Sequence, residues 1–306
     1  MVSLKSVNAE RFREMYMRIA KILSIVGALV VLILAQAGAQ VLFSDGFESY
    51  TAAGNPLDKN TAGPNSAPNG SGNPWFGPAP PNARVVGVEG GVSPHSGNNM
   101  IRGSAPSDLD ENWYNLAYRL NGGSAYSGGI AFDFWFYDPL GGGGTAFRDY
   151  GALGFYNTAP GNTDYPGTGS LNGSTQIQRL SLGAASSQGT GFDSSTYQAR
   201  IVGATDGYNT AGWFNLNVSR SIGWHEGRIV VDSANNVSFY IDDMNNALLS
   251  HSAVETYGYN VLELNTNQGA TTGYFDDVSF SLVPEPGTGS LLVLGLAALA
   301  VRRRRS

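Results

Sequence analysis

The sequence predicts an all-β protein built as an antiparallel sandwich. Period-two alternation of apolar and polar residues recurs along the chain, while convincing helical periodicity is missing between its two ends. The 41 glycines, with abundant Asn, Ser and Thr, supply turns between many short strands. Aromatic residues form 11% of the chain, which is too many for a disordered protein. Together these features favour two packed sheets joined by turns.

The first element is a signal segment over residues 1–39. Arg18 and Lys21 precede an apolar stretch over residues 22–34 that is too short to span a bilayer and resembles the hydrophobic region of a signal peptide. Small residues then form a cleavage pattern for signal peptidase, so the mature chain is predicted to begin at Gln40. The residues that define this cleavage site are Ala37, Ala39 and Gln40.

The start of this segment is unusual for a signal peptide. Glu10 and Glu14 lie among its basic residues, where a signal peptide normally carries positive charge alone. We therefore expect translation to start at Met15 or Met17.

Residues 40–283 are predicted to form one sandwich domain, because a chain of 244 residues suits a single large β unit. Alternation is clearest over residues 129–138, where Phe132, Phe134 and Phe136 share one face of a strand. In residues 212–219 the same pattern places Phe214 on the inward face. The other predicted strands are residues 84–89, 112–120, 150–157, 177–182, 197–202, 237–241, 259–264 and 278–282.

Three segments lack any strand pattern and are predicted to be surface loops. Residues 55–81 and 158–174 are rich in Pro, Gly and Asn, and residues 141–144 are four consecutive glycines. No helix with Lys and Ser or Thr follows these glycines, so they favour a flexible loop over a phosphate-binding loop.

The predicted mature chain is acidic and lacks cysteine. Nine basic and 21 acidic residues remain between positions 40 and 283, a net charge of −12, and Lys59 is the only lysine. Nucleic acid and anionic membrane surfaces are therefore poor partners, because both bind clustered lysine and arginine. Without cysteine there is neither a disulfide framework nor a thiolate metal site.

A predicted hairpin over residues 223–243 refines the type of sandwich. Trp224 and His225 lead into a β-branched strand that ends at Asp232, and a short turn precedes a second strand that ends at Asp242. This pattern resembles the central hairpin of laminin-G-like and other concanavalin A-like jelly rolls, and the resemblance implies a jelly-roll sandwich. For His225 we expect a satisfied, half-buried side chain rather than a catalytic one.

The two ends of the domain carry a second resemblance. The segments Asp45-Gly46-Phe47-Glu48 and Phe275-Asp276-Asp277-Val278 are similar to the first and last strands of MAM-type jelly rolls. That resemblance implies terminal strands that lie close together, with carboxylates that can share a cation. The hypothesis is a structural calcium ion, and the alternative is acids that face solvent. The residues concerned are Asp45, Glu48, Asp276 and Asp277.

The last element is a tail over residues 284–306. Pro284, Glu285 and Pro286 precede a short apolar run, and Arg302, Arg303, Arg304 and Arg305 follow that run. This order resembles the PEP-CTERM sorting signal of Gram-negative bacteria. The resemblance implies export through the inner membrane, processing by an exosortase-type enzyme, and delivery to the cell surface or the extracellular matrix.

The apolar run of this tail is predicted to be a short hydrophobic helix over residues 288–301. Its uninterrupted apolar part, twelve residues from position 290 to 301, covers roughly 18 Å of a hydrocarbon core about 30 Å thick. Arginines beside a membrane segment stay on the cytoplasmic side. We therefore expect a transient membrane insertion that is not a permanent anchor.

An enzymatic role requires a constellation that the sequence supports only weakly. His95, His225 and His251 lack the spacing of zinc ligands, and no serine lies in a G-x-S-x-G elbow. The candidate carboxylates for a glycoside hydrolase are Glu226 and Glu263, whose mutual distance the sequence does not give. Hydrolysis is retained as an alternative function.

Polysaccharide binding is the preferred interpretation for an exported sandwich. Aromatic rings stack on the apolar faces of sugars, and amides and carboxylates bind sugar hydroxyls. The predicted function is to bind or scaffold exopolysaccharide in the biofilm matrix, and a purely structural adhesion protein is the further alternative. The candidate ligand-binding rings are Trp75, Phe76, Trp113, Trp135 and Tyr137.

Overall fold

The computed structural model describes one compact β unit, Val41–Leu282, and small parts of a second unit formed by the two chain ends, Met1–Gln40 and Val283–Ser306. Among the described residues no helix is both long and apolar enough to cross a membrane. The predicted apolar segments 22–34 and 288–301 lie outside the described residues. The structure describes residues 15–18, 39–50, 55–56, 75–76, 84–103, 116–120, 124–142, 148–156, 176–184, 193–202, 213–252, 257–267 and 272–283.

The β unit is a sandwich of two antiparallel sheets, as the sequence predicts. Its strands are β1 Gln40–Asp45, β2 Asn55–Pro56, β3 Trp75–Phe76, β4 Arg84–Val86, β5 Met100–Arg102, β6 Leu116–Arg119, β7 Ile130–Asp138, β8 Arg148–Tyr156, β9 Gln176–Ala184, β10 Thr196–Val202, β11 Trp213–Ser219, β12 Gly223–Val231, β13 Val237–Ile241, β14 Leu249–His251, β15 Val261–Asn267 and β16 Tyr274–Leu282.

The strands divide into a nine-stranded sheet, sheet A, and a seven-stranded sheet, sheet B. Sheet A has the order β14-β13-β12-β7-β16-β5-β4-β2, with β1 paired to β16. Sheet B has the order β11-β10-β9-β8-β15-β6-β3. The expected proximity of the first and last strands is therefore confirmed.

The centre of the core is the inward face of β7. Phe132, Phe134 and Phe136 are fully buried, as their alternation predicts, and their rings pack against one another. Phe134 lies between two glycines, because a Cβ atom on Gly151 of sheet B or Gly227 of sheet A would collide with its ring. These glycines let one large ring fill the space between the sheets.

The predicted hairpin is present as β12 and β13, which pair from Gly227 opposite Ile241 to Val231 opposite Val237. Its turn is closed by Asp232, whose Oδ1 accepts hydrogen bonds from the backbone N–H groups of Ala234 and Asn236. Asn235 adopts φ 62° there, a conformation that asparagine tolerates well. The local sequence thus specifies this hairpin.

A buried ion pair closes one end of the sandwich. Asp138, the last residue of β7, accepts hydrogen bonds from Nε and NH2 of Arg220 at 2.8 and 2.9 Å. Arg220 also donates to the carbonyl oxygen of Ser194, which precedes strand β10 of sheet B. Both charged side chains are buried, so the pair ties β7 to the other sheet where the strands end.

Two features differ from the sequence prediction. Strands β1, β2, β3, β5 and β14 are additional, and four of them are only two or three residues long, too short for alternation to be recognised. Phe214 lies on the inward face as predicted, opposite the core residue Ala199 of β10, but it is 44% exposed. It lies on β11, an edge strand, so no neighbouring strand covers it on one side.

Candidate functional site

The outward face of sheet B carries polar residues that come together only through strand pairing. Leu180, Leu182, Leu262 and Leu264 point into the core, so the residues between them point away from it. Register aligns one residue from each strand into what we call the central row. From β11 to β3 this row is Trp213, Arg200, Ser181, Ala152, Glu263, Ala117 and Phe76.

Two further rows flank the central row on the same face. One contains Asn215, Gln198, Gly183, Tyr150 and Asn265. The other contains Val202, Arg179, Gly154, Val261 and Arg119. On this face β8 and β9 therefore carry mostly small residues. Aromatic, amide and charged residues lie at neighbouring positions of the same rows.

The charged side chains of this face are held in place by close contacts. NH2 of Arg179 donates to Oε2 of Glu263 at 2.5 Å, and both side chains are buried. The guanidinium carbon of Arg179 lies 5.3 Å from the ring centroid of Tyr150, and that of Arg200 lies 5.8 Å from Trp213. The two rings meet edge to face at 5.2 Å. Cation–π contacts of this kind orient both arginines.

Access to the central row improves toward β11. Glu263 is 0% exposed, Ser181 1% and Arg200 8%, while Trp213 at the edge is half-buried. Within the described residues, Oγ of Ser181 and Oδ1 of Asn265 are buried without a hydrogen-bond partner. Buried polar atoms are normally paired, so these two atoms mark unsatisfied hydrogen-bonding capacity in the interior of this face.

The four predicted ring residues whose backbone the structure describes lie on two different sheets. The backbone of Trp75 and Phe76 forms β3 at the edge of sheet B, where Phe76 ends the central row. Trp135 and Tyr137 lie on β7, in the other sheet. Trp113 lies outside the described residues.

Trp135 and Tyr137 lie on the outward face of sheet A, which is partly occupied by protein groups. The imidazole of His95 stacks on Trp135 with ring centroids 3.6 Å apart. Trp224 packs edge-on against Tyr137, and its Nε1 donates to the carbonyl oxygen of Ser93. The segment that contains Ser93 and His95 thus covers part of these rings.

The four acids predicted as calcium ligands fall into two groups. Asp45 accepts hydrogen bonds from the backbone N–H of Phe47 and the hydroxyl of Tyr50. Oε1 of Glu48 accepts from the backbone N–H groups of Asn98 and Asn99, both at 2.8 Å. Asp45 thus stabilises the turn that follows β1, and Glu48 connects this turn to the segment that precedes β5.

Asp276 and Asp277 form the second group, at a bulge in β16 opposite β7. Asp276 accepts from the backbone N–H groups of Ser96 and Asp277, and Asp277 binds His95 Nδ1 at 2.6 Å and Ser96 Oγ at 2.8 Å. No group of three or more His, Asp or Glu among the described residues is arranged to hold a metal ion. Protein donors thus bind each of these acids, and the calcium site stays a prediction from the sequence.

The two glutamates considered for hydrolysis are far apart in the fold. Glu226 lies on β12 in sheet A, and Glu263 lies on β15 in sheet B. Each alternates with inward-facing neighbours, so the two side chains point to opposite sides of the sandwich. The structure therefore does not pair these two carboxylates.

His225 is buried and satisfied, as the sequence analysis expects. Its Nδ1 lies 2.8 Å from Oδ2 of Asp242, and its Nε2 lies 2.9 Å from the carbonyl oxygen of Ser221. Both partners are acceptors, so both nitrogens must carry hydrogen. Such an imidazolium cannot take a proton from the nearby Ser221 hydroxyl.

The sequence analysis missed the outward face of sheet B because its members come from separate strands. The alternation of polar and apolar residues does indicate a polar face on single strands, as in Gln178-Arg179-Leu180-Ser181-Leu182 and in Leu262-Glu263-Leu264-Asn265. Each strand has polar residues on one face, but only the register shows that these faces meet.

The chain carries a PEP-CTERM sorting signal behind a β-sandwich domain. The model of the PEP-CTERM protein-sorting motif matches residues 282–305, and this motif implies exosortase-dependent export toward the cell surface. No curated protein sequence matches the chain. The sorting residues from Pro284 to Arg305, and Ala37 of the predicted signal cleavage site, lie outside the described residues, while Ala39 and Gln40 are exposed.

Several solved structures are similar to this chain at low identity. The globular domain of T. cruzi calreticulin is 10% identical, with 87% of this chain and 100% of that chain covered and a TM-score of 0.45. A carbohydrate esterase from the Shiga toxin-encoding bacteriophage phi24B is 14% identical, with coverages of 80% and 99% and a TM-score of 0.44.

The receptor-binding domain of botulinum neurotoxin type G is 8% identical, with 82% of this chain covered and a TM-score of 0.40. The chain spans about half the length of that domain, 49%. At these identities and TM-scores the similarities carry no functional argument.

Proposed function

We propose that the exported sandwich binds polysaccharide of the extracellular matrix on the outward face of sheet B. The observation that carries this proposal is the central row, in which a half-buried ring, an arginine, a serine and a glutamate line up across five strands, with Ala152 between the serine and the glutamate. A sheet face that packs only against protein is normally apolar, whereas this buried face is polar.

The chemistry of the face suits a sugar chain. Trp213 offers an aromatic edge where the row meets solvent, and Ser181 and Asn265 offer buried oxygen atoms to sugar hydroxyls. The middle strands β8 and β9 carry small residues on this face, Ala152, Gly154 and Gly183, and all three are buried. Neighbouring positions in a row lie roughly 5 Å apart, which is close to the length of one sugar unit.

A pull-down with the producer's own exopolysaccharide tests the proposal. We expect Trp213→Ala to weaken retention of the protein about tenfold, since stacking on one ring contributes roughly 1 to 1.5 kcal/mol. Trp135→Ala is the matched control, because it removes a tryptophan from the outward face of the other sheet. Thermal melts verify that both variants fold.

The outcomes separate the candidate functions. Loss of retention in Trp135→Ala, with Trp213→Ala unchanged, places the ligand on the sheet A rings that the sequence predicted. If the unmodified protein is not retained at all, the proposal fails and the structural adhesion protein is favoured.

A further inference from the structure

The last strand of the sandwich is anchored in the core up to its final residue. β16 ends at Leu282, which pairs with Ile130, the first residue of β7. Ile130 and Phe280 are fully buried, and Leu282 packs against the core. Separating the end of β16 from β7 would break strand hydrogen bonds and expose these side chains to water, and both changes are unfavourable. The folded part of the chain therefore extends to Leu282.

The sorting motif follows this anchored strand after a single residue. Val283 alone separates Leu282 from Pro284, so the first proline of the motif is at most about 7 Å from the end of the sheet. The predicted apolar segment begins at residue 288, six residues after the strand, or at most about 22 Å. A specific contact between two proteins covers roughly 800 Å² of each partner, a patch much wider than 7 Å. An enzyme that binds the motif must therefore also meet this end of the sandwich.

Strand register and close contacts define the surface concerned, which we call the tail-side end of sheet A. The residues level with Leu282, each paired with the next across the sheet, are Ile130, Val231, Val237 and His251. The turn 232–236 and the segment 127–129 continue beyond them. These two parts pack closely, because a Cβ atom on Gly128, whose φ is 58°, would collide with the carbonyl oxygen of Asp232. The tail-side end is thus a surface built by the closed fold.

The tail-side end carries little charge, although the domain is acidic. Of the described residues 127–130, 231–237, 250–252 and 281–283 that form it, Asp232 alone is a Lys, Arg, Asp or Glu. The carboxylate of Asp232 already accepts hydrogen bonds from the backbone N–H groups of its own turn. The opposite end of sheet A, by contrast, exposes Asp242 and Asp243. Because the centres of protein interfaces are depleted of charged residues, the tail-side end is the better suited of the two to contact a partner.

We propose that the tail-side end of sheet A docks on the exosortase-type enzyme while that enzyme binds the sorting motif. The motif at residues 282–305 implies such an enzyme. The motif supplies the sequence that is recognised, and the turn 232–236 with the segment 127–129 supplies a folded surface beside it. A chain presents both only after its sandwich has closed, so processing favours folded protein. This inference does not depend on the proposed polysaccharide binding.

Two exposed alanines in turns of sheet A provide a matched test. Ala234 lies in the tail-side turn, and Ala247 lies between β13 and β14 at the opposite end. In the producing bacterium we expect Ala234→Arg to slow removal of the tail about tenfold, an effect typical of one residue at the centre of an interface. Ala247→Arg changes the net charge equally and should be processed like the unmodified chain. Pulse-chase labelling, with separation of the tail-bearing and processed forms, measures the rates.

A spacer tests whether the motif and the tail-side end act together. Insertion of Gly-Ser-Gly-Ser between Val283 and Pro284 moves the two apart by up to about 14 Å and changes neither of them. We expect slower processing of the spaced chain, and no further slowing when Ala234→Arg is added, because the effects of two changes to one contact are not additive. Unchanged or faster processing of the spaced chain would overturn the inference, and faster processing would mean that the sandwich obstructs the enzyme.

The remaining outcomes are also decisive. Equal processing rates of Ala234→Arg and Ala247→Arg contradict the docking surface, and so does an unmodified chain that keeps its tail. Thermal melts of the recovered proteins verify folding, and Ser233→Arg in the same exposed turn replaces Ala234→Arg if that variant does not fold. Both alanine variants should bind exopolysaccharide like the unmodified protein, so failure of the proposed function would leave the processing rates and their interpretation unchanged.

Discussion

His225 is a buried histidine whose two ring nitrogens both face hydrogen-bond acceptors. Burial by itself lowers its pKa, but hydrogen bonds to Asp242 and to the Ser221 carbonyl oxygen, with the charges of Asp242 and Asp138, raise the pKa above the usual 6.5. The folded state therefore binds a proton that the unfolded state has already released near neutral pH.

We expect the contribution of His225 to stability to be full below about pH 6.5 and to be lost as pH rises through its folded pKa. His225→Gln should therefore lower the free energy of unfolding at pH 5.5 by about 1 to 3 kcal/mol and have a smaller effect at pH 9. Urea unfolding at both pH values measures this difference. An equal loss at the two pH values would contradict a protonated histidine.

Asp276 makes a second pH-dependent contribution. Burial raises its pKa to about 6, and the charge of Asp277 acts in the same direction, while the backbone N–H of Ser96 opposes the shift. A raised carboxyl pKa means that stability falls as pH rises from about 4 to about 6.

Asp276→Asn should remove that pH dependence. It removes a buried charge, but its amide keeps only one of the two oxygens that accept from the backbone N–H groups of Ser96 and Asp277, so stability at pH 7 should change by no more than about 2 kcal/mol. Melting curves between pH 4 and 7, beside those of the unmodified protein, check this. A variant that keeps the original slope would show that another group titrates.

At the scale of elements, the segment between β4 and β5 is bound to the chain after β1 through Glu48, and to β16 through Asp276 and Asp277. Gly97 adopts φ 58°, and a Cβ atom there would collide with the Glu48 carboxylate. Gly91 also has a positive φ, 84°, but a Cβ atom on it would meet nothing within 4 Å. Substitution of the two glycines by alanine therefore separates the cost of a positive φ from the cost of a collision with Glu48.

Gly91→Ala should cost about 1 kcal/mol of stability from backbone conformation alone. Gly97→Ala should cost about 2 kcal/mol more, because it also displaces Glu48 from the backbone N–H groups of Asn98 and Asn99. Urea unfolding gives both values, and faster hydrogen exchange of the two asparagine amides should accompany only Gly97→Ala. Equal costs would mean that Glu48 does not secure the segment.

The carboxylates at the ends of β1 and β16 allow a direct test of the calcium hypothesis. We expect excess EDTA to leave the melting temperature unchanged, because protein donors already satisfy Asp45, Glu48, Asp276 and Asp277. A fall in melting temperature that added calcium restores would instead support the calcium site predicted from the sequence.

The elements also show how far local sequence determines the fold. β7, β12 and β13 follow from alternation, because each has one face in the core. The central row does not, because Trp213, Arg200, Ser181 and Glu263 come into one row only after five strands pair. Strand proximity places the acids of β1 and β16 near each other, but the donors to Glu48, Asp276 and Asp277 include residues of another segment, residues 95–99, which alternation does not indicate.

At the scale of the whole molecule, the sorting motif concerns where the sandwich acts. The PEP-CTERM motif at residues 282–305 implies processing by an exosortase-type system. Twelve apolar residues precede the arginines, and a helix of that length covers only roughly 18 Å, so we expect a weak hold on the membrane. We therefore propose that release to the surface depends on recognition of the Pro-Glu-Pro segment.

Replacing Pro284, Glu285 and Pro286 together by alanine should block this processing. We expect the variant to accumulate in the membrane fraction with its tail intact, while the unmodified protein reaches the surface without it. Immunoblots of fractionated cells and the intact mass of the recovered protein measure both effects. Thr288→Ala, just beyond the motif, is the control that should be processed normally. Normal surface delivery of the triple variant would show that the arginines and the apolar run are sufficient, and that the prolines are not the recognised feature.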